Sequence, residues 1–492
     1  MSDSYRIPII ARGRIIEPGE GDSVEFKGRG GASFVAPDPH KHVQDLILGN
    51  PLKLSRLRDT PMSDIIDFLH EAGKRLRLDD NVHLQESFAL GLKAGGLSEP
   101  ILRRLYETLP QMFDARATTA MVDNTIGIDY LDGWVTSEHM PNVRIRAIGT
   151  RQLHITAGNV PTVAAQTIIR GPLTKSDILI KSPSNDPLTA TALMRTLLEL
   201  DASHPACGNT AIAYWKGGDE FMDSQIVRTS RIDKITAWGG MSSVKHIQKF
   251  LTPGIDLTAL NPKYSVSLLG KEALESEAAM EEAAVGIAAM VGFYNQSACA
   301  NTRIVYVESD TDDASIERLK ALGEKIVAAY PALPDVMSTP AEKPNEELAA
   351  ELDAISLEDD FYTVVGDTLT GGVVISHFPD RVDFYDQLNN RVVNLVPLTN
   401  LLDAVQWCDD TTQTVGVYPE SLRDELLDAF ALAGIQRLLP IKGGDPMEIF
   451  RNIHTLPPGS PHDGIEPWRR SVRWVIDQRA ADNIVPLSIA AE

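Results

Sequence analysis

Between residues 153 and 252 the apolar positions fall into four short runs, 153–156, 178–181, 211–215 and 234–238, separated by stretches of helical spacing at about 162–171, 187–200 and 219–229. A further helical stretch follows the last run. Short apolar runs alternating with helices across short loops predict right-handed crossovers and a parallel sheet covered by helices on its faces. Ligands bind at the carboxyl ends of such strands. Upstream the pattern differs. The first sixty residues carry brief apolar stretches broken by Gly and Pro, and predict a few strands and loops. From Pro61 to about Phe113 the positions Ile65, Ile66, Phe68 and Leu69, then Ile101, Leu102, Leu105 and Leu109, predict two or three helices. Ser98, Glu99 and Pro100 mark the start of the last one, because a Ser side chain accepts an orphan N–H and Pro in the first turn costs no hydrogen bond.

Residues 143–147, Val-Arg-Ile-Arg-Ala, alternate apolar with other side chains in the manner of a half-exposed strand at a subunit or domain edge, or of an ordinary surface strand. The tail 468–476 sets Arg469, Arg470 and Arg473 among Val472, Trp474 and Val475, and predicts a terminal strand that pairs with 143–148 or with another subunit. From 261 to 438 there is a second α/β pattern. It comprises a helix at about 275–290, a strand at 303–307, an acidic, Pro-punctuated stretch of surface helices at 310–360, and strands at 373–375, 392–396 and 415–418.

A chain of 492 residues exceeds what one hydrophobic core supports, so roughly three domain-sized units and a cleft are expected. With 46 Lys and Arg against 68 Asp and Glu, the formal charge is -22, a field that repels polyphosphate backbones and anionic membrane surfaces. Nucleic-acid binding is not expected, and an anionic cofactor must be held by local basic groups and helix N-termini. No run approaches the roughly 18 apolar residues of a membrane span, and the N-terminus lacks the apolar core of a signal peptide, so neither membrane insertion nor export is expected. Cys207, Cys299 and Cys408 form no disulfide framework, which fits a reducing cytoplasm. The eleven histidines lack paired spacing, and no metal site is expected.

Four segments at strand ends carry candidate chemistry. Ala157-Gly158-Asn159-Val160-Pro161 follows the first sheet strand, where Asn159 either directs its amide into the cleft or serves as a turn residue. Lys181-Ser182-Pro183-Ser184 follows the second, where a lysine and a hydroxyl suit a ribose or its phosphate, or simply a solvated loop. Trp238-Gly239-Gly240 precedes a helix, and its glycines allow close backbone approach of a diphosphate to free N–H groups. The fourth, Phe293 to Cys299, places a thiol between a helix and a strand. A thiolate attacks carbonyls and thioesters rapidly, although a single cysteine is more often a small buried hydrophobe, the reading for Cys207 and Cys408.

Taken in order, these segments resemble the aldehyde dehydrogenase superfamily and, within it, the acyl-CoA reductase family typified by LuxC, the fatty-acid reductase component of bacterial luminescence. The strings are HITAGNVP, RGPLTKSDILIKSPSNDPLTA, His204-Pro205 before AIAYWKGGD, ITAWGG, NPKYSVSLLG, NQSACANTR, and His462-Asp463-Gly464 ahead of RWV. The resemblance implies an α/β, aldehyde-dehydrogenase-like fold. Its parts are a parallel-sheet dinucleotide-binding domain over 1–260, with the 140–152 strand contributing to oligomerisation, an α/β catalytic cysteine domain over 261–438, and a C-terminal return segment with a small β oligomerisation element over 439–492. It implies Cys299 as the nucleophile, with the Asn159 amide and the Cys299 N–H forming an oxyanion hole. Lys181 and Ser184 would face the adenosine ribose, with Gly239 and Gly240 beside the diphosphate.

Three departures refine the expectation. Where many oxidising members place a ribose-binding glutamate, this chain has Ser184, which leaves room for a 2′-phosphate beside Lys181, so NADPH is expected over NADH, the alternative. At 257–263 the chain reads LTALNPK, and Ala259 stands about where those members carry the glutamate that activates water against the thioester. Their Glu-x-Phe motif for the nicotinamide ribose is missing near Asn389, Asn390 and Arg391. The expected reaction is NADPH-dependent reduction of an acyl-CoA or other acyl thioester to the aldehyde through a cysteine thioester, in a homo-oligomer, with an acyl-transferring partner protein as a possible donor. The alternative is an NAD(P)-dependent aldehyde dehydrogenase that forms the acid.

Overall fold

The computed structural model describes residues 5–28, 32–442 and 444–479. The parallel sheet is present. Across it the strands run Asp256–Leu260, Lys234–Trp238, Arg151–Ile155, Asp177–Lys181 and Thr210–Ala213, followed by an N-terminal hairpin of Ile9–Ala11 and Arg14–Ile16. The first five are mutually parallel and the hairpin joins antiparallel. Successive side chains face opposite ways, so Ile178 and Ile180 pack with Ile168 and Leu193 of the helices Thr162–Leu173 and Thr189–Asp201. Leu179 faces Met222 and Ile226 of Glu220–Ile226 and Ile247 of Met241–Gln248. Helices therefore cover both faces, and every loop that leaves a carboxyl end opens on the same edge.

The helix expected at 219–229 stops at Ile226. The Arg151 guanidinium binds the carbonyls of Thr229 and Ser230, at 2.9 and 2.6 Å, and turns the chain toward the next strand. At the expected cap, the helix Glu99–Met112 begins just after Ser98, whose side chain makes no capping bond but accepts from the Thr339 hydroxyl at 2.8 Å.

A second seven-stranded sheet has the order Tyr362–Asp367, Gly371–Ser376, Val392–Leu398, Thr302–Glu308, Tyr264–Leu269, Thr412–Tyr418, Arg437–Pro440. Its first pair is antiparallel and the rest are parallel. The 310–360 stretch is not merely a surface: Asp313–Ala329 buries Ile316, Leu319, Leu322 and Ile326 in the main core. The helix Glu277–Gly292 packs on it and leads directly into the cysteine loop.

Val472–Gln478 pairs antiparallel with Val143–Gly149, from Val472 opposite Gly149 to Gln478 opposite Val143, and Val135–Thr136 adds a third strand. The terminal strand thus pairs within its own chain. It starts four residues later than expected from 468, because Pro467–Arg470 forms a short helix that buries Trp468 against the Arg170 guanidinium. Of the segment 439–492, residues 480–492 lie outside the described ones. No helix of the described residues is long and apolar enough to cross a membrane.

Candidate active site

Asn159, Lys181, Ser184, Gly239 and Gly240 line a single cleft of about 350 Å³ at the carboxyl ends of the first sheet. Each ends a strand or follows closely on one, so the parallel order alone brings them together. Gly158 allows the close approach of two of these loops. A Cβ there would lie 2.4 Å from Asn185 Oδ1, and the Asn185 amide donates to the Gly158 carbonyl at 2.9 Å. Gly239 has φ +150°, and Gly240 is the residue before the helix Met241–Gln248, with open space where its Cβ would be. The free N–H groups of that helix start face a cleft unobstructed by side chains from either glycine.

Lys181 is buried over the Trp215 ring, with its Nζ 4.0 Å from Asp223 Oδ1. Burial lowers the pKa of its ammonium, and Asp223 and Asp219 oppose that shift. Asp223 is itself held by the Trp215 indole N–H and by His246, both at 2.9 Å.

The cysteine loop is built differently. Tyr294, Asn295 and Gln296 all have positive φ, 51°, 51° and 64°, a conformation that costs of order 1–3 kcal/mol per non-glycine residue and needs compensating contacts. Those contacts come from the loop's own amides. The Asn295 side chain donates to the Thr339 hydroxyl at 3.0 Å and accepts from the Thr339 N–H at 2.8 Å. Gln296 donates to the Val392 carbonyl at 2.9 Å and accepts from the Val392 N–H at 3.1 Å. Asn301 accepts from the Ala298 N–H at 2.7 Å and donates to the carbonyls of Met290, Val291 and Phe293. The amide-rich string NQSACANTR is therefore a clamp around Cys299.

Cys299 Sγ accepts a hydrogen bond from the Gln413 amide at 3.0 Å, and the same Gln413 nitrogen donates to Asp463 Oδ1 at 2.7 Å. Gln413 reaches the sulfur because its strand bulges there. Tyr264 pairs with Thr412 but Val266 pairs with Val415, so the Gln413 strand holds one residue more than its neighbour. Ser265, inside that irregularity, accepts from the Thr414 N–H at 3.0 Å and donates to the Cys299 carbonyl at 2.9 Å. Burial, then the Asp463 charge, push the Cys299 thiol up, while the Gln413 donor and the N–H groups of Cys299 and Ala300 oppose them. Burial lifts Cys207 to about 12 and Cys408 to about 11.

The two halves meet at Asn159. Its amide donates to the carbonyl of Ser297 at 3.3 Å, two residues before the thiol. The structure thus brings Asn159 to the cysteine loop but not onto the sulfur, which is turned to Gln413. A second contact joins them: the His462 ring lies 5.2 Å from the ring of Trp238, a residue of the cleft. Ala259 sits on the edge strand Asp256–Leu260, paired with Ala237, and brings no carboxylate. Asn390 and Arg391, where the ribose motif is missing, line a second pocket of about 260 Å³ together with Asn295 and Ser297. Gln413 escaped the sequence reading altogether, and Asp463 appeared there only within a string. Neither lies near Cys299 in the chain, and the bulge that aims Gln413 has no signature in its local pattern.

A family model described as acyl-CoA reductase (LuxC) matches residues 57–474. A long-chain acyl-protein thioester reductase of Vibrio harveyi is 26% identical over 427 residues, covering 86% of this chain and 84% of its own. One of Photorhabdus luminescens is 25% identical over 486 residues, covering 96% and 93%. Among solved structures, NADP-dependent glyceraldehyde-3-phosphate dehydrogenase from Bacillus halodurans, complexed with NADP, has a TM-score of 0.71 at 13% identity over 97% of this chain and 100% of that one. An aldehyde dehydrogenase from Brucella melitensis biovar abortus has a TM-score of 0.72 at 11% identity over 97% and 98%. At such identities the structural likeness shows the fold alone, that of the aldehyde dehydrogenases. The family model spans most of the chain, through the cleft strands, the cysteine loop and the returning terminal strand, and the protein belongs to the acyl-CoA reductase (LuxC) family.

Proposed function

We propose that the protein reduces an acyl thioester, either acyl-CoA or an acyl group on a protein thiol, to the aldehyde through a thioester on Cys299. The observation that carries this reading is a clamped cysteine loop in contact with an open, glycine-floored cleft, with Ala259 in place of a water-activating carboxylate. The names of the relatives, long-chain acyl-protein thioester reductases, support the same substrate class.

The cleft residues fit a nicotinamide dinucleotide. Gly239 and Gly240 leave space for a diphosphate at a helix start, and Lys181 and Ser184 stand where an adenosine ribose would lie. Ser184 adds no negative charge, which favours NADPH over NADH, although Lys181 already faces Asp223. When bound, the cofactor supplies the hydride that reduces the acyl carbon. The chain's residues do the rest. The Cys299 thiolate attacks the acyl carbonyl, a C–S bond forms, and the donor thiol leaves as its thiolate. Released from Ser297, the Asn159 amide would join the Cys299 N–H in stabilising the oxyanion, each donor typically contributing about 10²–10³ in rate. After reduction, collapse of the tetrahedral adduct expels the Cys299 thiolate and frees the aldehyde.

The rival is an NAD(P)-dependent aldehyde dehydrogenase that hydrolyses the thioester, and the observation on its side is Asp463, whose charge reaches Cys299. Its side chain is 7% exposed and its Oδ1 is taken by Gln413, whereas a general base needs an oxygen facing the attacking water. Cys299→Ala should abolish aldehyde formation from acyl-CoA and NADPH; substantial residual turnover overturns the covalent route. Acid formed from aldehyde at a useful rate without added CoA would favour the rival.

We extend the reading to the setting. The three free cysteines support a reducing cytoplasm. The edge strand Val472–Gln478, with Ile476 exposed, supports a homo-oligomer.

A further inference from the structure

The sulfur of Cys299 is held by Gln413, which is itself held by Asp463, and the proposed reaction uses neither side chain as a reactant. Gln413 Nε2 lies 3.0 Å from Sγ and 2.7 Å from Asp463 Oδ1. A glutamine amide has the same shape whichever end faces forward, so its partners decide its orientation. An ionised carboxylate only accepts hydrogen bonds, and it therefore selects the nitrogen end. With one hydrogen on Asp463, the other points at the sulfur. The oxygen end, had it been presented, would repel a thiolate. The fold invests in this contact: the extra residue in the Gln413 strand breaks the ladder, and Ser265 ties the broken segment to the Cys299 carbonyl.

We propose that Asp463 and Gln413 are positioning residues for Cys299: Asp463 locks the Gln413 amide nitrogen-forward, and Gln413 fixes the sulfur and stabilises its thiolate. This rests on Cys299 being the nucleophile. The pair acts on the thiol in two opposite ways. The amide hydrogen favours the thiolate, while the Asp463 charge disfavours it. The other charged groups of this corner act at one remove. His462 Nε2 is 3.9 Å from Asp463 Oδ1, and burial, Arg170 and Lys263 lower the pKa of His462 while Asp463 raises it. The N–H groups of Cys299 and Ala300 complete the surroundings of the sulfur.

Because the two effects oppose, a cycle of variants separates them. The readout is the pH dependence of iodoacetamide alkylation at Cys299, followed by peptide mass spectrometry, with Cys207 and Cys408 as internal controls. It requires neither acyl donor nor NADPH, so its failure is distinct from failure of the acyl-transfer reading, which Cys299→Ala tests. Gln413→Met should move the Cys299 midpoint to higher pH by about one unit or more, as loss of a hydrogen bond to a charged group requires. Gln413→Glu keeps the volume but presents only acceptors, and should move it further. An unmoved midpoint in either folded variant overturns the role of Gln413. In the Gln413→Met background, Asp463→Asn removes only a charge and should move the midpoint to lower pH. In the parent it also unlocks the amide, so the acid shift should be smaller by about half a unit or more. Equal shifts in the two backgrounds would mean that Asp463 does not orient Gln413 and would overturn the proposal.

Discussion

On the side of the first sheet, Asn159, Lys181, Ser184, Gly239 and Gly240 each lie at a strand end or closely after one, and the cleft they form is open where glycines leave out side chains. On the side of the second sheet, Cys299 depends on Thr339, Val392, Ser265, Gln413 and Asp463, drawn from across the chain, and on three consecutive residues with positive φ. On the proposed function, the contrast follows from what each side must do. A dinucleotide is recognised mainly by backbone N–H groups and by space, which a regular parallel sheet provides at its edge. A nucleophile must instead be held to a fraction of an ångström, and the cost of the strained loop is offset by buried amide contacts.

The comparison can be broken first at the clamp. Asn301 is 1% exposed and ties two backbone groups of the cysteine loop, at Phe293 and Ala298, to two carbonyls at the end of the preceding helix, Met290 and Val291. Asn301→Ala should cost about 3 kcal/mol in denaturant unfolding, since it strands buried partners, and should lower aldehyde formation more than it raises the KM for NADPH. A loss confined to the KM for NADPH would show that the two sides are not separate devices. On the cleft side the expected effect is smaller. Lys181→Ala should raise the KM for NADPH about tenfold, the worth of one charge-assisted hydrogen bond, with less effect on NADH and little on kcat. Equal effects on both coenzymes would remove Lys181 from the 2′-phosphate and leave it as the partner of Asp223.

The same contrast explains which parts of the molecule were legible in the sequence. Asn159, Lys181 and the Gly239-Gly240 pair could be read because the feature that places them, the end of an apolar run, lies beside them in the chain. Tyr264–Leu269 carries no clear strand pattern in the sequence although it is central and buried. Ser265 and Ser267 make it look polar, and their hydroxyls are satisfied only by distant partners, Ser267 by Thr302 at 2.7 Å. The helix predicted over 219–229 ends at Ile226, since the Arg151 side chain, remote in sequence, takes the carbonyls of Thr229 and Ser230. The composition of Asp313–Ala329 predicts a surface helix because its buried residues sit within an acidic stretch. Cys299 itself was recognisable from its motif, but the orientation of its thiol was not, since a one-residue bulge and a carboxylate from 463 decide it.

The central claim is that Cys299 holds an acyl group that water does not remove. Intact-mass spectrometry after mixing the protein with a panel of acyl-CoAs, without NADPH, tests it most directly. The account predicts a single acyl adduct that maps to Cys299, persists in buffer, reverts on adding free CoA and is released as aldehyde on adding NADPH. Absence of any adduct across the panel, its location on another residue, or its rapid loss as free acid would contradict the account.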